Sequence, residues 1–249
     1  MRLSVILITK NEAANLRACL ASVAFADQIV VVDSGSTDGT VALAHELGAT
    51  VLETDWPGFG RQKNRALDLA DGDWVLSIDA DERVTPALAA EIQQILAAPQ
   101  FDAYEIPRLS SYCGRFIRHS GWWPDPVLRL FKRGVARFTD VPVHERVDFA
   151  GAKGRLQAWF EHYTYPDLDS ALIKMNRYST DAAQAMHARG KKSSLPGALA
   201  RGFWTFIRIY LLRRGFLDGR EGFLLAVTAG VGNFYRYAKL AQLNRQTRA

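Results

Sequence analysis

The sequence predicts an α/β fold built on a mostly parallel sheet with helices on both faces, and three observations predict it. Over residues 1–95, short apolar runs alternate with segments of helical period. A β-α-β-α-β-α-β series closes most simply as parallel strands joined by crossover helices. Polar groups gather where each run stops, at Thr9-Lys10-Asn11-Glu12, Asp33-Ser34-Gly35 and Asp79-Ala80-Asp81. In such sheets ligands bind at the C-terminal ends of the strands.

The elements follow in order. Leu3–Thr9 is an apolar strand. Glu12–Phe25 carries Leu16, Cys19, Leu20 and Val23 at helical spacing. Ile29–Asp33 is a Val-rich strand, followed by a Ser-Gly-Ser-Thr-Asp-Gly turn and a helix through Val41, Ala44 and Leu47 that Gly48 ends. Thr50–Glu53 is a third strand, Arg61–Ala70 a helix and Asp73–Asp79 a fourth strand. Residues 100–165 contain short strand-like pieces, Pro107, Pro124, Pro126 and Pro142, and many aromatics, as in a smaller mixed-strand subdomain. From about Leu168 the chain reads as helical. The predicted boundaries are 1–98, 99–166 and 167–249.

At 249 residues and 48% hydrophobic the chain can bury a proper core. Cys19 and Cys113 match neither a disulfide framework nor a zinc pattern and suggest a reducing compartment. Val5-Ile6-Leu7-Ile8 is too short for a signal peptide, and Lys10-Asn11-Glu12 stands where a cleavage site would be. The net charge of +5 is uneven: residues 187–249 hold 12 Lys/Arg against 2 Asp/Glu, and the remainder 19 against 24. A basic tail on an acidic body implies an anionic partner, nucleic acid or membrane.

Asp79 and Asp81, spaced i and i+2, would point to one side of an extended chain and repel each other unless a cation sits between them. A hard divalent ion shared with a phosphorylated substrate suits such a pair. The alternative is an acidic helix start, with Asp81 as the cap ahead of Thr85-Pro86.

With Thr9–Glu12, the turn Val31-Val32-Asp33-Ser34-Gly35-Ser36-Thr37-Asp38-Gly39-Thr40 and Asp79-Ala80-Asp81 in this order, the chain resembles glycosyltransferase family 2. The likeness extends through Arg61–Leu67, Trp122-Trp123-Pro124-Asp125, Arg129-Leu130-Phe131, Val143-His144-Glu145 and Leu212–Gly219. Over that full pattern it is similar to the lipopolysaccharide inner-core glucosyltransferases that add β-glucose to heptose. The resemblance implies a GT-A fold, Rossmann-like and mostly parallel, with a mixed-strand acceptor subdomain and a C-terminal helical segment. It also implies an inverting hexosyltransferase that uses a UDP-sugar donor and Mg²⁺ or Mn²⁺.

Roles carry over residue by residue. Asp33 would accept a hydrogen bond from the uracil imide, or else open an Asx turn. Thr9, Asn11 and Glu12 would lie beside the base and ribose, although Glu12 also suits the first turn of a helix. Asp38 reads as a helix cap. Arg61 and Lys63, after Pro57-Gly58-Phe59-Gly60, would meet the uracil or diphosphate, whereas Arg65 suits a solvated face. Asp79 would turn to the ribose, and Asp81 would hold the metal with His162 as a further ligand; a structural histidine is the alternative. Inversion needs a base, and Glu145 is the choice with Asp125 as runner-up. Trp122 and Trp123 present ring faces suited to a sugar acceptor, or pack in the subdomain core. Asp125 belongs to the same acceptor site, while Arg118, His119 and Arg129 would suit a phosphorylated heptose.

The tail is consistent with a lipid-anchored acceptor. Phe203–Leu212 and Phe223–Val231 are apolar and shorter than the ~20 residues that span a bilayer. Arg201, Thr205 and Arg208 share a face, and Arg213, Arg214, Arg236, Lys239 and Arg245 surround the two runs. Helices lying in an anionic membrane interface on the cytoplasmic side fit this pattern, as does a helical layer packed on the sheet. Nucleic acid fits poorly, because the basic residues are interleaved with continuous apolar faces. Other readings are a polyprenyl-phosphate glycosyltransferase of the same fold and a non-catalytic membrane-surface scaffold. A nucleotidyltransferase would need a Gly-rich basic loop after its first strand, and Thr9–Ala13 is not one.

Overall fold

The computed structural model describes residues 1–140 and 146–246. Its parallel strands are β1 (Leu3–Thr9), β2 (Gln28–Asp33), β3 (Thr50–Glu53) and β4 (Trp74–Ser77), in the order β3-β2-β1-β4. The crossovers carry α1 (Ala13–Ser22), α2 (Thr40–Glu46) and α3 (Phe59–Asp68). β1 and β4 are near-continuous apolar runs because both sheet faces are covered. Alternation divides the core. Val5, Leu7, Val31 and Leu76 pack with Leu16 and Leu20 of α1, while Ile6, Val30, Val32 and Val75 pack with Ala66 and Leu67 of α3.

Beyond β4 the sheet becomes antiparallel. The order continues through β8 (Asp125–Lys132), β6 (Ala103–Tyr112), β12 (Phe160–Tyr165) and β5 (Glu82–Val84). β7 (Arg115–Phe116) and β11 (Gly154–Arg155) attach to β6, and β9 (Arg137–Phe138) pairs with β10 (Val147–Asp148). Of the strands in residues 103–165, β6, β7, β8, β11 and β12 therefore extend the first sheet, and β9 with β10 forms a small sheet of its own.

The segment after β4 corrects one expectation. Asp81 caps no helix. The chain turns at Asp79–Glu82, with the Glu82 N–H donating to the Asp79 carbonyl at 2.9 Å, and then forms β5. Helix α4 (Pro86–Ala97) is capped by Thr85, whose hydroxyl accepts from the Leu88 N–H. Because of that turn, Asp79 and Asp81 are not successive same-side positions on an extended strand.

The chain divides into two compact units, residues 1–108 with 125–162, and residues 109–124 with 163–249. In the second, α5 (Leu168–Ala188), α6 (Leu195–Ile207) and α7 (Gly219–Gln246) pack together. A Cβ on Gly202 of α6 would lie 2.9 Å from the Gly230 carbonyl of α7, and one on Gly230 would lie 3.0 Å from the Gly202 carbonyl. The two backbones meet at these glycines. Of Arg201, Thr205 and Arg208, only Thr205 is buried, where it accepts from Asn233; the exposed Arg201 lays its guanidinium 4.6 Å from the Tyr237 ring of α7. The outward face is apolar, with Leu199, Phe203, Trp204 and Leu212 all more than half exposed.

Asp218 explains one feature of the Leu212–Gly219 segment. Its buried carboxylate accepts from the backbone N–H groups of Arg118 and His119 and from the Ser120 hydroxyl, each at 3.0 Å, and it also bonds His119 Nδ1. His119 is thus held at this anchor by its backbone N–H and its ring. Replacing Asp218 with Ala leaves several polar groups without an acceptor and should cost about 2–3 kcal/mol in urea unfolding. An unchanged midpoint would show that water replaces the carboxylate without loss.

Candidate active site

Two clusters form at the C-terminal edge of the parallel strands, both within the first unit. The first joins the loops after β1 and β2. Asp33 is wholly buried: one oxygen accepts from the Gly35 and Ser36 N–H groups at 2.9 and 2.7 Å, the other from the Thr9 and Ser36 hydroxyls. The Asx turn is therefore present, and one Asp33 oxygen is held by two hydroxyls that can rotate away from it. Asn11, at φ 57°, accepts from the Thr37 N–H at 2.8 Å, and its own N–H donates to Ser36. Glu12 sits at the start of α1, where its carboxylate accepts from the Asn15 amide at 2.9 Å. Asp38 accepts from the Thr40 and Ala13 N–H groups, both at 3.1 Å, and so ties the start of α2 to α1.

The second cluster surrounds Asp79. Lys63, almost fully buried on α3, approaches one Asp79 oxygen at 3.0 Å, and Arg129 of β8 bonds the other. Arg129 also reaches Glu82 at 3.0 Å, and the second Glu82 oxygen accepts from the Asp79 N–H at 2.9 Å. Arg108 of β6 extends the network to Asp125, at 2.7 Å, and to Glu82, at 3.5 Å. Burial alone would raise the Asp79 carboxyl, but the adjacent charges of Arg129 and Lys63 outweigh it and hold it well below the usual carboxylate range.

Neighbouring residues of α3 join the clusters. Gln62, fully buried, donates to the Ser34 hydroxyl at 3.0 Å after β2, while Lys63 reaches Asp79 after β4. Gly60 serves packing as well: a Cβ there would fall 2.0 Å from the Thr139 carbonyl oxygen. Arg61 makes an exposed pair with Asp140 at 2.7 Å, which holds it only weakly. Arg65 pairs with Asp55 rather than standing free in solvent.

Asp81 faces His162 of β12, oxygen to Nε2 at 3.4 Å. Among the described residues no group of three or more His, Cys, Asp or Glu is placed to hold a metal. One carboxylate and one imidazole nevertheless suit a divalent ion whose remaining ligands come from phosphate oxygens and water.

The predicted acceptor residues are distributed between the units. Arg129 is bonded to Asp79 and Glu82, and Asp125 is engaged by Arg108. Both lie in the first unit. Trp122 and Trp123 belong to the second. Trp122 packs against Tyr112 and Tyr165, each 6.1 Å between ring centroids, which is the core role allowed for one of the pair. Trp123 faces the Arg118 guanidinium at 5.6 Å. Glu145 lies outside the described residues. Gln62, Glu82 and Arg108 are site members without an assigned role from sequence. Glu82 was visible as part of an acidic run; Gln62 and Arg108 carried no signal of their own.

Comparison with known proteins adds four findings. The family model described as glycosyl transferase family 2 matches residues 4–163. An uncharacterized glycosyltransferase of Rickettsia typhi is 33% identical over 99% of this chain and 89% of its own. The lipopolysaccharide core biosynthesis glycosyltransferase LpsC of Rhizobium meliloti is 31% identical over 96% of this chain and 92% of its own. Among solved structures, Staphylococcus aureus TarS 1–349 in complex with UDP-GlcNAc covers 99% of this chain and 92% of that one, with a TM-score of 0.53 at 16% identity. That likeness shows a shared GT-A fold.

The lowered Asp79 carboxyl links stability to pH. Its contribution is complete above the ordinary carboxylate value and is lost as pH falls through the lowered native one. Asp79→Asn should therefore cost about 1–3 kcal/mol at about pH 7, with the deficit shrinking toward about pH 3. Urea unfolding of both proteins across that range checks this; a constant deficit would remove the charge pairing as its cause.

Proposed function

The chain belongs to glycosyl transferase family 2, and from that premise we propose that it is an inverting, metal-dependent enzyme that moves a hexose, glucose by preference, from a UDP-sugar to a heptose of the lipopolysaccharide inner core. The observation that carries the donor half is the meeting of Asp81 and His162 with the Lys63–Asp79–Arg129–Glu82 network at the strand ends. The acceptor half is supported by the near full-length likeness to the Rhizobium core glycosyltransferase.

In this reading Asp81 and His162 hold Mg²⁺ or Mn²⁺. The ion, when bound, supplies positive charge where the leaving nucleoside diphosphate becomes more negative. Lys63 and Arg129 add two cations whose positions are already set by Asp79 and Glu82, so little reorganisation is needed as charge develops. Thr9, Asn11, Glu12 and Asp33 form the base and ribose side, with Ser36 yielding its bonds to Asp33 when the base arrives. Arg61, held only by an exposed pair, can swing toward the donor.

Glu145 is the base in this scheme. It takes the proton of the acceptor hydroxyl as that oxygen bonds the anomeric carbon and the bond to the diphosphate breaks. Asp125, the runner-up, is tied to Arg108, which favours Glu145. Trp123 supplies a ring face for the acceptor sugar.

The enzyme works at the inner face of the cytoplasmic membrane, and the apolar outer face of α6 supports this. Phe203, Trp204, Leu211 and Leu212 are each at least half exposed, and Arg213 and Arg214 follow immediately. No helix among the described residues is long and apolar enough to cross a membrane.

Calorimetric titration of UDP-glucose should show heat of binding with Mn²⁺ that EDTA removes. Asp81→Ala should abolish that binding, while Glu145→Gln should retain it and lose transfer to a heptose acceptor. Metal-independent binding, or normal turnover by Glu145→Gln, would remove the corresponding residue from the mechanism. Separately, Phe203→Ser with Trp204→Ser should release the protein from anionic liposomes in flotation; undiminished flotation would assign that face to something other than lipid.

A further inference from the structure

The second unit contains a cavity of about 340 Å³ that the donor chemistry does not use. Residues of β6, β12, α5, α6, α7 and the loop at Trp122 line it, all within that unit. One wall is aromatic. Tyr112, Trp122 and Tyr165 pack on one another at centroid distances of 5.7 to 6.1 Å. The other carries Arg208, Asn233 and Arg236.

Its charge is unbalanced. No Asp or Glu lines the cavity, and neither arginine forms an ion pair among the described residues. Arg236 Nε is buried and has no hydrogen-bond partner there. Holding guanidinium groups partly out of water with no acidic partner is unfavourable, and an anion taken up by the cavity would offset that cost. Backbone geometry adds a second observation. Arg208 opens a π-helical turn, Arg208–Leu212, closed by the Arg213 N–H donating to the Arg208 carbonyl at 2.8 Å. Such widened turns recur at functional sites, and this one sets Arg208 in the cavity wall.

We propose that this cavity binds a sugar bearing a phosphate ester, with Arg208 and Arg236 on the phosphate and the half-buried rings of Trp122 and Tyr165, backed by the buried Tyr112, on the sugar ring. Guanidinium forks match phosphate oxygens, and aromatic faces match the C–H faces of a pyranose. The volume lies within the range of small-molecule sites. The site deepens the acceptor assignment above and rests on it: a phosphorylated core saccharide is the substrate class concerned. It also gives Trp122 a place beside the acceptor through its packed position.

The test is calorimetric titration of the full-length protein with glucose 6-phosphate, glucose, inorganic phosphate and, separately, UDP-glucose with Mn²⁺. Glucose 6-phosphate should bind more tightly than either glucose or phosphate. Arg208→Met and Arg236→Met should each weaken it about tenfold or more, leaving UDP-glucose binding unchanged. Thermal melting supplies an independent readout. Arg236→Met should melt no lower than the parent, because it removes a buried unpartnered nitrogen; a lower melting temperature would make Arg236 a structural residue and overturn the proposal.

Equal binding of glucose or of inorganic phosphate would overturn it as well, as would glucose 6-phosphate binding insensitive to both substitutions. UDP-glucose binding without glucose 6-phosphate binding would overturn the cavity alone. The reverse result would leave the cavity assignment standing and overturn the donor reading.

Discussion

Lys63, Asp79, Arg129 and Glu82 share one network in which each charge is held by at least one of opposite sign. Lys63 and Arg129 keep less than a tenth of their side chains exposed, and the Glu82 side chain keeps none. Removing any one member strands the rest in a poorly hydrated setting, a larger loss than the net worth of the intact pairs. The network therefore acts more through geometry than through stability. It joins helix α3 to three strand segments that are remote in sequence, and it sets two cations at the edge where the parallel strands end. Gln62, one residue before Lys63, extends the same control to the turn after β2.

That dependence shows what was legible in the sequence. β1, β2 and β4 were readable because strands buried on both faces are continuous apolar runs, and the edge strand β3 because Gly48 marked where the helix before it ends. The three-residue strand β5 was not. It is stabilised by register with β12, where Glu82 stands opposite His162, and local preference carries no trace of a partner so far along the chain. The capping error at Asp81 follows: Thr85-Pro86 was visible as a helix start, but the strand ahead of it was hidden. Arg108 and Arg129 were unreadable as network members for a related reason. An isolated cation in a strand shows its charge, and only the fold shows which carboxylates it meets. Asp33 was legible as an important position, but its four hydrogen bonds could not be counted from a Ser-Gly sequence.

The helical unit shows a different limit. The shared face of Arg201, Thr205 and Arg208 is real, but periodicity does not tell an inward stripe from an outward one. Gly202 decides it. With a backbone carbonyl 2.9 Å from where its Cβ would stand, the Gly202 face must be the one that meets α7, and Thr205 lies one turn further along. The large apolar residues are then left on the outside. Small residues inward (Ala198, Gly202, Thr205) and large apolar residues outward is the reverse of an ordinary surface helix, and it is the arrangement expected where the outer medium is itself apolar.

The basic tail also narrows under this reading. A surplus of positive charge does not by itself define a binding surface, because many of the cations are engaged internally. Lys239 contacts Asn176, Ser179 and Thr180, all on α5. Arg201 stacks on Tyr237, and Arg213 reaches the Gly121 carbonyl at 3.5 Å. Arg208 and Arg236 line the cavity instead. The anionic partner inferred from composition thus divides into two chemical settings, a recess that opens to solvent around that pair and a flat surface beside the exposed apolar face. A recess favours a small, discrete anion, and the flat face favours an extended surface. A lipid-anchored, phosphorylated saccharide has both parts in one molecule, which is why one acceptor can account for a tail whose cations face in two directions.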